Sequence, residues 1–118
     1  MAVAWNGSAQ ASRVVSAAVA YFEKAESVSV LTAPGFDKRA PAEALVAYLA
    51  KHKVKATIQN VDPHGKHVGQ ALLEQAQQLN CDLLVMGAYG HSRLREMILG
   101  GATREVLASS TIPVLMAH

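Results

Sequence analysis

The chain is poor in cysteine and carries no block of like charge. Cys81 is its single cysteine, so no disulfide can form within the chain. We therefore expect a cytoplasmic protein with one partly buried thiol, a reactive thiol being the alternative. Lysine and arginine number 11 against 9 acidic residues, and the basic residues are scattered along the chain. This charge pattern does not indicate a nucleic-acid partner.

Long hydrophobic runs are also missing. The longest apolar stretch, residues 14–22, is interrupted by Ser16. It is far shorter than the roughly 20 residues that a membrane-spanning helix needs, and no secretion leader is visible. The sequence therefore predicts no association with a membrane.

Apolar residues are nevertheless plentiful, because 51% of the 118 residues are hydrophobic and only 17% are charged. This balance predicts one compact domain rather than a disordered chain. Short runs rich in Val and Ile alternate with longer segments of helical spacing. Strands are predicted over residues 3–5, 27–32, 55–61, 83–87 and 113–117.

Four helical segments are predicted between these strands. The first covers residues 9–25 with Ser8 as its N-cap, the second follows Pro41, the third covers residues 68–79, and the fourth begins near Gly101. The apolar residues of these helices are, in chain order, Val14, Val15, Ala18 and Phe22; Leu45, Val46 and Leu49; Leu72, Leu73 and Ala76; and Val106 and Leu107. Residues 33–40, with Pro34 and Gly35, are expected to form a flexible loop.

The alternation of strands and helices indicates an α/β fold. Strands joined through helices need crossovers, which are nearly always right-handed, so helices cover both faces of a mostly parallel, doubly wound sheet. In such sheets ligands bind beyond the carboxyl ends of the strands, where the strand order reverses. The loops after the first and fourth strands, residues 6–8 and 87–90, are therefore the candidate site.

Two glycine-rich stretches carry the functional signal. Gly87-Ala88-Tyr89-Gly90 follows a buried strand, and Gly100-Gly101-Ala102-Thr103 follows after nine residues. Glycine allows a sharp turn and close approach of a ligand to the backbone, and amides at the start of a helix can face a phosphate. The alternative is that these glycines only end a strand and begin a helix.

The spacing of these glycines resembles the signature of the universal stress protein family, with Gly87, Gly90 and Gly100 in the three glycine positions. The opening strand that runs into a Gly-Ser turn and the closing residues 112–116 extend the resemblance over essentially the whole chain. The resemblance implies a five-stranded parallel sheet in the order 3-2-1-4-5, of the adenine-nucleotide α-hydrolase-like type. It also implies a stress-response domain that binds ATP or another adenine nucleotide and acts by ligand-dependent association.

The resemblance implies a role for each residue of the nucleotide site. Gly87 and Gly90 would wrap the ribose and phosphates, residues 100–102 would offer backbone amides, and Thr103 would add a hydroxyl. Thr32 and Ala33 would meet the adenine edge. The full implied set is Asn6, Gly7, Thr32, Ala33, Met86, Gly87, Gly90, His91, Arg93, Gly100, Gly101, Ala102 and Thr103. For His91 and Arg93, simple exposure to solvent is the alternative.

Two positions depart from the nucleotide-binding members of the family. Asn6 stands where those members carry an aspartate, and it cannot act as a carboxylate ligand of Mg²⁺. Gly101 stands at a position of Ser or Thr, which removes one hydroxyl but keeps the backbone amide. Both departures resemble the second domain of tandem members. The alternative function is therefore a dimeric scaffold that binds no nucleotide.

The last strand is the candidate partner surface. Its alternating residues are Ile112, Val114 and Met116. The resemblance implies that this strand is an edge of the sheet, and an edge strand can pair with another chain. The resemblance implies a homodimer, or pairing with the other half of a tandem chain, through this strand.

No catalytic or metal site is predicted. The sequence has no P-loop, no Gly-x-Ser-x-Gly elbow and no paired carboxylates near the glycines, so at most a slow ATPase is expected. The spacing of His64 and His67 could place both on one helical face, but without a third ligand they are expected to be surface residues. Trp5 is expected to be a packing residue near the sheet edge of the site, with a stacking platform for a ligand as the alternative. Tyr89 is expected to be exposed, with a cover over a ligand or a dimer contact as the alternative.

Overall fold

Strands and helices alternate along the part of the chain that the structure describes. The computed structural model describes residues 1–33, 41–87, 106 and 108–117. The elements are β1 (Ala2–Ala4), α1 (Ala9–Lys24), β2 (Val28–Thr32), α2 (Ala42–Lys51), β3 (Ala56–Asn60), α3 (Val68–Gln78), β4 (Leu84–Gly87) and β5 (Val114–Ala117). Val106, Ala108 and Ser109 are also helical, as predicted for the fourth helix; Leu107 and the predicted start near Gly101 lie outside the described residues.

All five strands form one parallel sheet in the order β3-β2-β1-β4-β5, which confirms the predicted fold and strand order. The central strand β1 pairs with both neighbours along its whole length. Its last residue, Ala4, lies opposite Leu31 of β2 and Met86 of β4. After β1 the chain builds the sheet toward β3, and it later returns to add β4 and β5 on the other side. The reversal of strand order therefore lies between β1 and β4.

Helices cover both faces of the sheet because the central strands are apolar on both faces. Val3, Val30 and Val85 belong to the core on the side of α1 and α2. Ala2, Leu31 and Leu84 belong to the core on the side of α3 and Val106. The predicted apolar faces of α1 and α3 are buried as expected, whereas Val46 of α2 is only partly buried. Each large buried side chain contributes about 1.5–3 kcal/mol.

The element boundaries differ from the predicted ones by a residue or two. β1 ends at Ala4 rather than Trp5, because the turn into α1 begins immediately afterwards. The Trp5 nitrogen still donates to the Leu31 carbonyl at 2.9 Å, and its side chain is buried, in agreement with the packing role expected of it. β5 begins after Pro113, which has no N–H to donate but whose carbonyl accepts from Leu84.

Within residues 1–33, 41–87, 106 and 108–117, no helix combines the length and the apolar character needed to cross a bilayer.

Candidate functional site

The carboxyl ends of three neighbouring strands bring six of the predicted site residues to one edge of the sheet. Asn6 and Gly7 follow β1, while Thr32 and Ala33 end and follow β2. Met86 and Gly87 end β4 on the other side of β1. Because the pairing of Ala4 with both neighbours sets these strands level, the three pairs form one rim, which we call the carboxyl rim.

A tight turn at the end of β1 fixes the side chain of Asn6. The Ser8 nitrogen donates to Asn6 Oδ1 at 3.0 Å. Gly7 between them has φ +77°, a left-handed conformation that glycine adopts without steric cost. Asn is well suited to such a turn because its side chain accepts from the backbone two residues later. The turn thus holds the Asn6 amide at the carboxyl rim.

Ser8 then starts α1, as predicted. Its hydroxyl accepts from the Ala11 nitrogen at 3.1 Å, and its carbonyl accepts from Ser12 at 3.1 Å. The N-cap therefore satisfies one of the amides that the first turn of a helix leaves without an intrahelical partner.

Packing against α1 requires glycine at position 87, and the spacing of the sequence alone does not reveal this requirement. A Cβ atom at this position would lie 2.6 Å from the Ala11 nitrogen and 2.8 Å from the Gln10 carbonyl carbon. Both atoms belong to the backbone of α1, so they cannot move aside cheaply. The bare backbone of Gly87 is thus needed for α1 to approach β4; a contact between Gly87 and ribose or phosphate stays a prediction.

The end of β2 is hydrogen-bonded to the end of β3. The Thr32 hydroxyl donates to Asn60 Oδ1 at 2.9 Å, and the Thr32 carbonyl accepts from the Val61 nitrogen at 2.7 Å. Asn60 was not predicted from the sequence as part of this rim. Its signal is the register of the sheet, in which Thr32 lies directly opposite Asn60.

The other predicted residues divide into those with a core role and those outside the described segments. The Met86 side chain is buried in the core on the α3 side, so its backbone is the part that can meet a ligand. Ala33 is buried at the rim. The predicted residues outside the described segments are Gly90, His91, Arg93, Gly100, Gly101, Ala102 and Thr103, and Tyr89 lies there too.

The histidines after β3, His64 and His67, do not share a helical face, although their separation of three residues would allow it. His67 is the N-cap of α3, whereas His64 lies in the preceding turn with φ +51°. The His64 nitrogen donates to Asp62 Oδ1 at 2.9 Å, and its ring lies 3.7 Å from the other carboxylate oxygen. Among the described residues, no cluster of three or more His, Cys, Asp or Glu side chains could hold a metal ion.

Comparison with known proteins agrees with this fold. This chain is 43% identical to the universal stress protein Slr1230 of Synechocystis over 49 residues. The match covers 42% of this chain and 17% of that protein. A universal stress protein solved in complex with cAMP has a TM-score of 0.69 at 21% identity, with 99% of this chain and 95% of that chain covered. The universal stress protein of Archaeoglobus fulgidus in complex with dAMP has a TM-score of 0.69 at 17% identity, with 99% and 94% covered.

The match to a family model extends much further along the chain than the match to that single relative. The family described as the universal stress protein family matches residues 1–118. It therefore covers the carboxyl rim, both core layers and the edge strand β5. The chain belongs to the universal stress protein family.

Proposed function

We propose that this domain binds an adenine nucleotide at the carboxyl rim. The observation that carries the proposal is the reversal of strand order between β1 and β4, which brings the Asn6 turn and the end of β4 together. Ligands of open α/β sheets bind at such reversals. The solved structures in complex with cAMP and with dAMP support an adenine nucleotide as the ligand class.

The proposed contacts use the backbone more than side chains. At the described rim, Gly7, Ala33 and Gly87 offer main-chain groups, and Asn6 offers its side-chain amide. Residues 100–103, together with Gly90, His91 and Arg93, are proposed to meet the phosphates. Asn6 does not fit the role of a Mg²⁺ ligand, since it has no carboxylate and its side-chain oxygen already accepts from Ser8. ATP is thus one candidate among the adenine nucleotides.

The experiment that tests this proposal is titration with AMP, ADP, ATP and cAMP, followed by amide NMR shifts with the nucleotide that binds most tightly. We expect the amides of Gly7, Ala33 and Gly87 to shift. The matched control is the opposite end of the sheet, where Ser29 and Asp82 should be unaffected. Shifts confined to the opposite end, or no binding of any of the four nucleotides, would overturn the proposal.

We also propose that the domain acts in the cytoplasm through association, using β5 as its contact. This strand is at one edge of the sheet, and Val114 and Met116 are only half-buried. An edge strand with apolar side chains is a ready surface for pairing with a second copy or a second domain. Ile112 immediately before β5 is likewise half-buried and extends that surface.

Sedimentation of the protein with and without nucleotide tests this association. We expect a homodimer that Met116→Lys converts to a monomer, and a dimerisation constant that changes when nucleotide is added. Thr57→Lys, at an exposed position of the opposite edge strand β3, is the matched control and should leave the dimer intact. A monomer at all concentrations would contradict dimerisation, and an unchanged constant would contradict ligand dependence.

A scaffold that binds no nucleotide is the second candidate. Two of the predicted ligand residues have structural roles within the domain, and this favours the scaffold. The Asn6 side-chain oxygen accepts from the Ser8 nitrogen, and Gly87 allows the close approach of α1 to β4. A dimer that forms through β5 and binds none of the four nucleotides would establish this function instead.

A further inference from the structure

Basic residues are scattered over most of the chain, but three of the 11 lysines and arginines lie within residues 51–55. Lys51 ends α2, and Lys53 and Lys55 lie in the connection to β3. All three residues are exposed, and we call them the lysine cluster. Among the residues that the structure describes, none forms an ion pair with this cluster, the exposed Glu26 before β2 included.

The end of α2 explains only one of these lysines. Lys51 lies in the last turn of the helix, where the helix dipole favours a cation. Lys53 follows with φ +61°, and the Val54 nitrogen then donates to the Leu49 carbonyl at 3.0 Å, as in a Schellman motif. Glycine is the usual residue at the position of Lys53, and α3 ends in the same way with Asn80 at φ +55°. The backbone thus gives no reason for a lysine at position 53.

The strand that follows the lysine cluster has an open edge. β3 is the outermost strand on its side of the sheet. The Val61 nitrogen after it donates to the Thr32 carbonyl of β2. Because the backbone groups of successive residues point to alternate sides of a strand, the N–H and C=O groups of Ala56, Ile58 and Asn60 point away from β2. Within the described part of the chain, no hydrogen bond reaches these outward groups.

The edge of β3 carries none of the usual devices that prevent a further strand from pairing. Such devices include a lysine or proline within the strand and a bulge. Residues 56–60 contain no charged residue and no proline, and they pair with β2 in an unbroken register. Thr57 and Asn60 are exposed, and no residue of the strand is buried. The lysine cluster lies before the strand rather than in it, so it leaves the edge free for pairing.

We propose that β3 and the lysine cluster form a docking surface for an extended acidic segment of a partner protein. The segment adds a strand beside β3, and its acidic residues lie against Lys53 and Lys55. Main-chain hydrogen bonds along the edge supply affinity, and charge complementarity supplies selectivity and orientation. A nucleic acid can also meet the lysines, but it cannot continue the backbone ladder of the sheet. The open edge therefore favours a polypeptide.

The test is an amide NMR titration of the protein with two synthetic peptides. Both peptides contain the same repeat of Thr and Val, which is flanked at both ends by Glu in one and by Lys in the other. We expect the acidic peptide to shift the amides of Ile58 and Asn60 but not those of β5, the opposite edge strand. The basic peptide should cause no shift at β3. Binding of the acidic peptide should weaken in 1 M salt, where the Debye length is about 3 Å.

Variants separate the two parts of the surface. Lys53→Gln combined with Lys55→Gln should weaken binding of the acidic peptide by about threefold or more. Arg13→Gln combined with Lys24→Gln removes the same charge from α1, which packs on β4 and β5, and is the matched control. Ala56→Pro removes an outward N–H at a position where an edge strand accepts proline, so we expect a loss of about threefold to tenfold. Thermal unfolding verifies that each variant is folded.

Several outcomes would overturn the inference. An equal loss in the two double variants would show that net charge alone is the cause. Failure of the acidic peptide to shift the amides of Ile58 and Asn60 would exclude docking at this edge, whatever the stability of Ala56→Pro. Shifts of the same amides on raising the protein concentration without peptide would assign the edge to a second copy. Tighter, lysine-dependent binding of single-stranded oligothymidylate would assign the cluster to nucleic acid. None of these outcomes bears on nucleotide binding at the carboxyl rim.

Discussion

Gly87 and Ala11 lie so close that a Cβ atom on Gly87 would be 2.6 Å from the Ala11 nitrogen. The contact joins the end of β4 to the first turn of α1, which are 76 positions apart in the numbering of the chain. It sets the depth at which the helix sits on the sheet. The geometry of the carboxyl rim, including the Asn6 turn that leads into α1, depends on this approach.

Gly87→Ala is accordingly expected to destabilise the fold. The added methyl group would press on backbone rather than on a side chain that can move, so the cost should be at or above about 3 kcal/mol, the upper end for overpacking. Urea unfolding measures it. Gly65→Ala is the matched control, because Gly65 has nothing within 4 Å but has φ +81°, so only about 1–2 kcal/mol of backbone strain is expected. Equal losses in the two variants would contradict the packing role of Gly87.

Ser8→Ala tests the cap of α1. Removing the hydroxyl leaves the Ala11 nitrogen without its 3.1 Å acceptor, and we expect a loss of about 1 kcal/mol in the free energy of unfolding. Ser16→Ala, at an exposed position within the same helix, should instead be neutral or slightly stabilising, since alanine has the higher helix propensity. If both serines respond alike, the Ser8 contribution is not a capping effect.

Lys53 is a position where the fold accepts backbone strain. It follows α2 with φ +61°, a left-handed conformation that is unfavourable for a side chain with a Cβ atom. We expect Lys53→Gly to stabilise the protein by up to about 1 kcal/mol in thermal or urea unfolding. Ala47→Gly, at an exposed position inside α2, should destabilise it by about 1 kcal/mol. A loss of stability in Lys53→Gly would show that the lysine side chain has a role that the backbone angle does not reveal.

The ion pair between Lys66 and Glu74 should contribute little despite its short distance. Lys66 Nζ lies 2.6 Å from Glu74 Oε2, but the side chains are 49% and 36% exposed. A double-mutant cycle with Lys66→Met and Glu74→Gln is expected to give a coupling below about 1 kcal/mol. The coupling should shrink further in 1 M salt, where the Debye length is about 3 Å. A coupling of about 2 kcal/mol that persists in high salt would contradict this expectation.

Local patterns were sufficient to predict most of the secondary structure. The spacing of Val14, Ala18 and Phe22 identifies a helix that buries one face, and Ser8 identifies its start, because helix periodicity and capping depend on residues close in sequence. The alternation of strands and helices likewise predicts a parallel, doubly wound sheet. The order of the strands came from the resemblance to the family, and the sheet confirms it.

The finer features of the carboxyl rim depend on contacts between segments that are distant in sequence. The pairing of Thr32 with Asn60 needs the register of β2 against β3, and the need for glycine at position 87 arises from the docking of α1. Similarly, the sequence identifies Asn6 as a departure from aspartate, but only the turn to Ser8 shows that its side-chain oxygen accepts a hydrogen bond from the backbone. The sequence by itself thus determined the elements, the fold class and the location of the rim. The tertiary structure decided the polarity and packing of that rim, because both depend on how separate elements meet in space.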